Sequence, residues 1–324
     1  MGGGFREARR DSGGRDAPLY GRRDARRYGG TVDETSEGRR MKLDSETTVL
    51  LTGANGGLGE PIARELAARK VKLALVAYPG AGLGRVKEEV EAMGCRALTV
   101  QFDLRNREDL PSLVSTVTRE LGPVDVLINN AGVEYTSTYH ELGEAAIRDT
   151  LLVNLEAPMM LTWLLLPGML ERKRGHVVNI SSLAGMARPA FQEPYSATKA
   201  GLLGFTGSLR ATYRGTGVSA SAIVPGFVEA GIYARLKESV GHSAPPLLGA
   251  CPPERVARAV ARAIIQDQGE VYVSKYPVRP LLMLSVLSPF LGAWITRVTG
   301  ANGFFRKAVD GMRRRRQKAG VKAP

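Results

Sequence analysis

Residues 50–61 read LLTGANGGLGEP, and the fold turns on how their four glycines are used. Gly53, Gly57 and Gly59 give the spacing G-x-x-x-G-x-G, whereas Gly53, Gly56 and Gly59 give G-x-x-G-x-x-G. Either spacing makes a turn that can approach a phosphate, because no Cβ stands in the way and the free N–H groups at a helix start favour an anion. The flanks suit such a turn. TTVLL (47–51) is a short apolar run, and EPIARELAARK (60–70) has helical spacing with Pro61 in its first turn, where a missing N–H costs little. The glycines alone decide little. Ile62 stands where the third glycine of G-x-G-x-x-G would fall, and a glycine-rich turn in any α/β protein would look the same.

The alternation continues along the chain. KLALVAY (72–78), ALTVQFDL (97–104), VDVLINNAG (124–132), HVVNISS (176–182), VSASAIVPG (218–226) and EVYVSK (270–275) read as further strands. Helical patterns at 84–94, 110–122, 141–171, 194–215 and 252–265 separate them. Apolar strands alternating with helices predict a parallel sheet covered on both faces. The expected fold class is therefore α/β, a Rossmann-like doubly wound sheet of seven parallel strands in a single domain, with an apolar and basic C-terminal extension.

The 324-residue chain has a formal net charge of +13, but the charge sits in its ends. Residues 1–40 hold 10 Arg against 7 acids, and residues 297–324 hold 9 Lys/Arg against Asp310 alone. The 26 basic and 24 acidic residues of 41–296 nearly cancel. Basic tails attract phosphates of nucleic acid or lipid, yet a solvated tail has the same composition, so no specific nucleic-acid partner is expected. The expected organisation is a disordered basic tail (1–44), a catalytic domain (45–278) and an apolar helical extension with a polybasic end (279–324). Residues 1–40 lack a secretory apolar core, their acids argue against a mitochondrial presequence, and Met41 is an alternative start. Cys95 and Cys251 form no metal-ligand or redox spacing, which favours a reducing, cytoplasmic setting and no bound metal.

Tyr195 and Lys199 lie at i and i+4 on an expected helix, and so on one face. A free phenol titrates near ~10, too high for proton exchange near neutrality. A lysine one turn away favours the phenolate and is expected to lower that value. Y-x-x-x-K alone occurs by chance in many helices. Here it follows TGANGGLG (52–59), NNAG (129–132), VNL (153–155) and NISS (179–182), and precedes PGFV (225–228). With these runs in order, residues 47 to 275 resemble the short-chain dehydrogenase/reductase family, in its single-domain branch with TGxxxGxG and YxxxK. The resemblance selects the Gly53, Gly57, Gly59 register.

The resemblance implies a catalytic set of Asn154, Ser182, Tyr195 and Lys199. Ser182, 13 residues before Tyr195, would bond the substrate oxygen, with Ser181 its competitor for that part. Tyr195 would give or take the alcohol proton, Lys199 would bind the nicotinamide ribose while tuning Tyr195, and Asn154 would hold a water of the proton relay. Cofactor contacts would come from Thr52, Gly53, Asn55, Gly57, Leu58 and Gly59 in the loop and from Ala77 after it. Asp103 and Leu104 would meet the adenine side, Asn129, Asn130, Ala131 and Gly132 the adenosine, and Pro225, Gly226 and Val228 the nicotinamide. One departure is Ala230, where the family often has a threonine that contacts the carboxamide.

Cofactor preference is usually set by an acid at the end of the second strand, which bonds a ribose 2′-hydroxyl and repels a 2′-phosphate. Ala77 and Tyr78 occupy that place, so NADP(H) is favoured over NAD(H), with Arg85 as a cation that reaches in. Residues 229–251 read as a mobile lid, with Ile232, Tyr233, Leu236, Leu247 and Leu248 as apolar wall residues and His242 on the surface. PLLMLSVLSPFLGAWI (280–295) is apolar but, broken by Pro289, too short to span a bilayer. With the basic run that follows, residues 280–318 suit a helix lying on an anionic membrane; the alternative is packing over the pocket or onto a second subunit. Asn154, Glu156, Pro158 and Pro167 exclude a span at 150–170, and the resemblance makes that helix an interface of a homodimer or tetramer. The expected function is the NAD(P)-dependent interconversion of a hydrophobic ketone and a secondary alcohol. A nucleotide-sugar epimerase of the longer branch, or a non-catalytic scaffold, are the alternatives; NNAG, the Ser182 spacing and the short chain after 275 weigh against them.

Overall fold

The computed structural model describes residues 41–319 apart from Leu247, so residues 1–40 of the expected tail (1–44), residues 320–324 and the wall residue Leu247 lie outside it. The end of that tail is instead ordered by packing, with Leu43 buried in the core and Met41 against it. The chain alternates β1 (Thr48–Thr52), α1 (Gly59–Ala67), β2 (Lys72–Ala77), α2 (Gly84–Ala92), β3 (Ala97–Gln101), α3 (Leu110–Leu121) and β4 (Val126–Asn129). It continues through α4 (Glu144–Leu151), α5 (Ala157–Glu171), β5 (Gly175–Ile180), α6 (Ala184–Ala187), α7 (Glu193–Thr212) and β6 (Val218–Pro225). Then come β7 (Phe227–Val228), α8 (Gly231–Val240), β8 (Ala250–Cys251), α9 (Pro253–Gln266) and β9 (Glu270–Val273). Three helices close the described chain: α10 (Arg279–Leu287), α11 (Pro289–Val298) and α12 (Ala301–Ala319).

Seven strands form one parallel sheet in the order β3-β2-β1-β4-β5-β6-β9, as the apolar runs predict. The side chains of β1 show why both faces must be covered. Val49 and Leu51 pack on one face with Ile62 and Leu66 of α1 and with Val256 and Val260 of α9. Leu50 points the other way, into Leu113 and Val117 of α3 and Leu161 and Leu165 of α5. Burying each such side chain contributes roughly 2 kcal/mol. Strand order reverses between β1 and β4, which opens a crevice at their carboxyl ends, the usual place for a ligand in such sheets.

The expected helix over 141–171 begins at Glu144 and changes pitch in the middle. Leu152–Glu156 form a π turn in which the Ala157 N–H bonds the Leu152 carbonyl. Residues 144–171 are long and apolar enough to cross a membrane, but Asn154 is fully buried and Leu161, Leu165 and Met169 pack on the sheet. The helix is a core element with one outward face.

Two features of 227–319 differ from the sequence expectation. The lid is built around the ten-residue helix α8, and its ends are tied by the two-residue strands β7 and β8. The extension then packs on that lid. Phe304 and Phe305 of α12 join Tyr233 and Phe227, with ring centroids 4.9 to 6.3 Å apart. A Cβ at Gly311 would overlap the Ser239 carbonyl oxygen, so α12 touches α8 backbone to backbone. Arg313 clamps Glu141 at 2.7 Å and Arg315 reaches Glu238 at 3.2 Å.

Candidate active site

The glycine turn closes by backbone contacts that leave no room for side chains. Gly53 has φ of +64°, and a Cβ there would lie 2.8 Å from Ala131 Cα. A Cβ at Gly59 would overlap the Gly53 carbonyl oxygen, and one at Gly57 would lie 2.7 Å from Ala230 Cβ at the lid entrance. Neighbouring strands pin the turn. Thr52 Oγ1 accepts from the N–H groups of Asn130 and Ala131 at 3.1 Å each, and Asn130 Nδ2 donates to the carbonyls of Thr52 (3.0 Å) and Gly53 (2.9 Å). Below, Asn129 Nδ2 donates to Asn179 Oδ1 at 2.8 Å, so Asn129 ties β4 to β5.

A cavity of about 640 Å³ runs from this turn to the C-terminal helices. Gly53, Asn55, Gly57, Leu58, Ala77, Asp103, Leu104, Asn130, Ala131, Gly132, Pro225, Gly226 and Val228 all line it, as do Ser182, Tyr195 and Lys199. Thr52, Gly59, Asn129 and Asn154 stand behind the wall and hold it in place. The cradle therefore fits a dinucleotide: a turn without Cβ atoms at a helix start, opening into a long cleft. Gly53 and Asn55 would meet the pyrophosphate, Ala77 and Asp103 the adenosine half, and Lys199, Pro225 and Val228 the nicotinamide half.

The end of β5 and the start of α7 bring the chemical groups together. Ser181 is buried and donates to the Lys199 carbonyl at 2.8 Å, which makes it a structural link. Ser182 accepts from the Ala184 N–H at 3.1 Å and stands close enough to Tyr195 to stabilise its phenolate, so the second serine is the one beside the phenol. Burial pushes the Tyr195 phenol up to about 12; Ser182 opposes the rise and the nearby Glu134 carboxyl adds to it. Burial likewise pushes Lys199 down to about 8. The Lys199 ammonium lies 5.5 Å from the Tyr195 ring centroid and donates to the Ile180 carbonyl at 2.9 Å. The expected lowering of Tyr195 is thus reversed, because desolvation outweighs a lysine whose own charge the same burial penalises. A phenol held this way keeps its proton at neutral pH and is placed to donate it. Asn154 has both ends of its amide on Val133: the Val133 N–H donates to Oδ1 and Nδ2 donates to the carbonyl, each at 2.8 Å. Its side chain secures the wall loop to the π turn.

Several wall residues carried no signal of their own in the sequence. Arg105 lines the cavity beside Ala77 and Tyr78, with its guanidinium 5.3 Å from the Tyr78 ring centroid. It grips Asp103 at 2.7 Å and Asp149 at 3.1 Å, and the bond to Arg105 lowers the Asp103 carboxyl. Arg85, expected to reach in, is instead held outside the lining by Glu60 (2.5 Å) and Glu89 (2.6 Å), which lie on its own side of the fold. Gln192 lines the cavity and donates to Glu134 at 3.1 Å; burial raises the Glu134 carboxyl. From the lid, Ile232, Tyr233, Leu236 and Leu248 are wall residues as expected, joined by Arg235. His242 is exposed. The outer wall comes from the extension: Leu281, Leu282, Ile295, Thr299 and Phe305.

The sequence and the fold both match known proteins. Residues 47–241 match the family model described as short chain dehydrogenase. The chain is 41% identical over 268 residues to the ketoacyl reductase HetN of a Nostoc species, covering 81% of this chain and 92% of the relative. It is 33% identical over 237 residues to estradiol 17-beta-dehydrogenase 11 of Macaca fascicularis, covering 72% and 77% of the two chains. A crystal structure of a metagenomic short-chain oxidoreductase in complex with NADP superimposes with a TM-score of 0.61 and 33% identity, over 72% of this chain and 98% of the other. Over these matched lengths and identities, the chain belongs to the short-chain dehydrogenase/reductase family of NAD(P)-binding oxidoreductases.

Proposed function

We propose that this chain interconverts a hydrophobic ketone and a secondary alcohol with NADP(H). The observation that carries the reading is the cavity itself: its polar end holds Ser182, Tyr195 and Lys199, and its other end is walled by leucine, isoleucine and phenylalanine from the lid and the extension. A substrate with one oxygen on a long or bulky apolar skeleton suits both ends. The names of the similar proteins, a ketoacyl reductase and an estradiol dehydrogenase, agree with that class.

A bound nicotinamide supplies or takes up the hydride. The chain's own groups handle the proton. In the reducing direction Ser182 Oγ and Tyr195 Oη hydrogen-bond the carbonyl oxygen, and Tyr195 Oη passes its proton to that oxygen as negative charge develops there. Lys199 offsets the phenolate left behind, which a desolvated site would otherwise penalise. The preference for NADP(H) is supported by the lack of a carboxylate at Ala77 and Tyr78 and by the Arg105 guanidinium beside them. The similar structure with NADP agrees. The buried unpaired cysteines suit a reducing, cytoplasmic compartment.

NADPH oxidation with long-chain and steroid ketones tests the reading. Tyr195→Phe is expected to lower kcat by about 10²–10⁴-fold while NADPH binding persists. Activity that survives the substitution removes Tyr195 as the acid. A kcat/KM that favours NADH over NADPH removes the cofactor preference.

A further inference from the structure

The helices α10 and α11 form a short antiparallel hairpin on the outside of the cavity. A Cβ at Gly292 would lie 3.1 Å from the Ser285 carbonyl oxygen, which marks their close crossing, and Ser288 Oγ caps α11 by accepting from the Leu291 N–H at 3.3 Å. The two helices divide their side chains by helical spacing. Ile295 and Thr299 of α11 turn inward to the cavity, while Phe290, Trp294 and Val298 turn outward. On α10, Leu282 is buried, and Leu284 and Leu287 face out. At the tip, Leu287 is 81% and Phe290 84% exposed. Water is a poor solvent for a patch of this size and continuity.

The charges say what covers it. Arg279 begins α10 and Arg297 lies in the last turn of α11, and both are exposed at the base of the hairpin, with the exposed Lys275 near Arg279. Over residues 279–298, the two helices of the hairpin, the sequence holds Arg279 and Arg297 and no acid. An isologous contact with a second copy would bring the arginines of two hairpins toward each other. An anionic lipid surface satisfies both features: apolar tips enter the acyl boundary and the basic residues at the base meet the headgroups. At nine and ten residues each helix is roughly 15 Å long, enough to enter the interface and too short to cross the bilayer. We infer that the α10–α11 hairpin docks the protein on an anionic membrane. Leu281 is 40% exposed and also lines the cavity, so the docking hairpin is itself part of the cavity wall. Delivery of substrate from lipid rests on the ketone reading above; the docking itself does not.

Vesicle flotation of the full chain tests the inference, with NADPH binding as the check that each variant is folded. Phosphatidylcholine alone and an equal mixture with phosphatidylglycerol are compared at low and high salt. Binding to the mixture, weakened by salt and at least about tenfold weaker for Leu287→Asp/Phe290→Asp, is expected. Trp294 emission, read in a Trp163→Phe background, should shift to the blue on the mixed vesicles. No binding at low salt, or equal binding by the double variant, overturns the inference. So does a wild-type dimer that falls to monomer in the double variant with no vesicle binding, which assigns the face to a second copy.

Discussion

Single residues settle what the motifs left open. The sequence offered Ser181 and Ser182 for one task; the carbonyl of Lys199 takes the first, and Tyr195 faces the second. Arg105 could not be found that way, since one of its anchors, Asp149, is 44 positions away and only the fold joins them. Arg105→Ala is expected to release Asp103 and cut kcat/KM for NADPH by about tenfold, more than for NADH, as loss of a charge-assisted contact implies. Steady-state kinetics with both cofactors would show it. A second residue governs acid stability. His176 is buried with Nε2 2.7 Å from Ser221 Oγ, and the Ser221 hydroxyl is itself donated to the Gln268 carbonyl, so Nε2 carries the hydrogen. Burial pushes His176 from its ordinary 6.5 down to about 4. Below pH 6.5 the unfolded chain takes a proton that the folded chain refuses until about pH 4. The stability is full above 6.5 and is lost as pH falls to 4, amounting to about 3 kcal/mol. Denaturant midpoints across that range should fall steeply for the native protein and less for His176→Gln.

At the level of elements, legibility followed length. Seven apolar runs became seven strands because each has to be buried on two faces. The pair β7–β8 has two residues per strand, too few for any periodicity to show. The π turn at Asn154 also showed no periodicity of its own; it lies where Pro158 offers no N–H to the Asn154 carbonyl and the Asn154 amide is bonded to Val133. The apolar run 280–295 was ambiguous for a physical reason: the same residue types serve a core and a lipid surface, and only position around each helix separates them. The contact of α12 with α8 gives a prediction at this scale. Gly311→Val adds bulk where even a Cβ overlaps Ser239, and should destabilise by roughly 1–3 kcal/mol. If α12 also shapes the cavity, KM for an apolar ketone rises while NADPH affinity stays. Chemical denaturation and substrate titration read the two effects separately.

A further apolar face lies among the described residues. Leu151, Met159 and Trp163 are exposed along α4 and α5, on the side away from the sheet. This face is distant in sequence from the lipid-docking hairpin and carries Glu156 paired with Arg107 at its rim. We expect it to join two copies, so Trp163→Glu should convert a dimer to a monomer in light scattering without removing vesicle binding. Such independence would also separate the two surfaces experimentally.

The order of the chain has its own consequence. Asn154, Ser182, Tyr195 and Lys199 fall within a stretch that is complete well before the end, whereas Leu281, Ile295 and Phe305 come from the last helices. On a ribosome, the groups that move the proton are therefore finished before the apolar outer wall of the cavity is made. Replacing that terminal segment would therefore change the apolar outer wall while leaving the four polar groups in place.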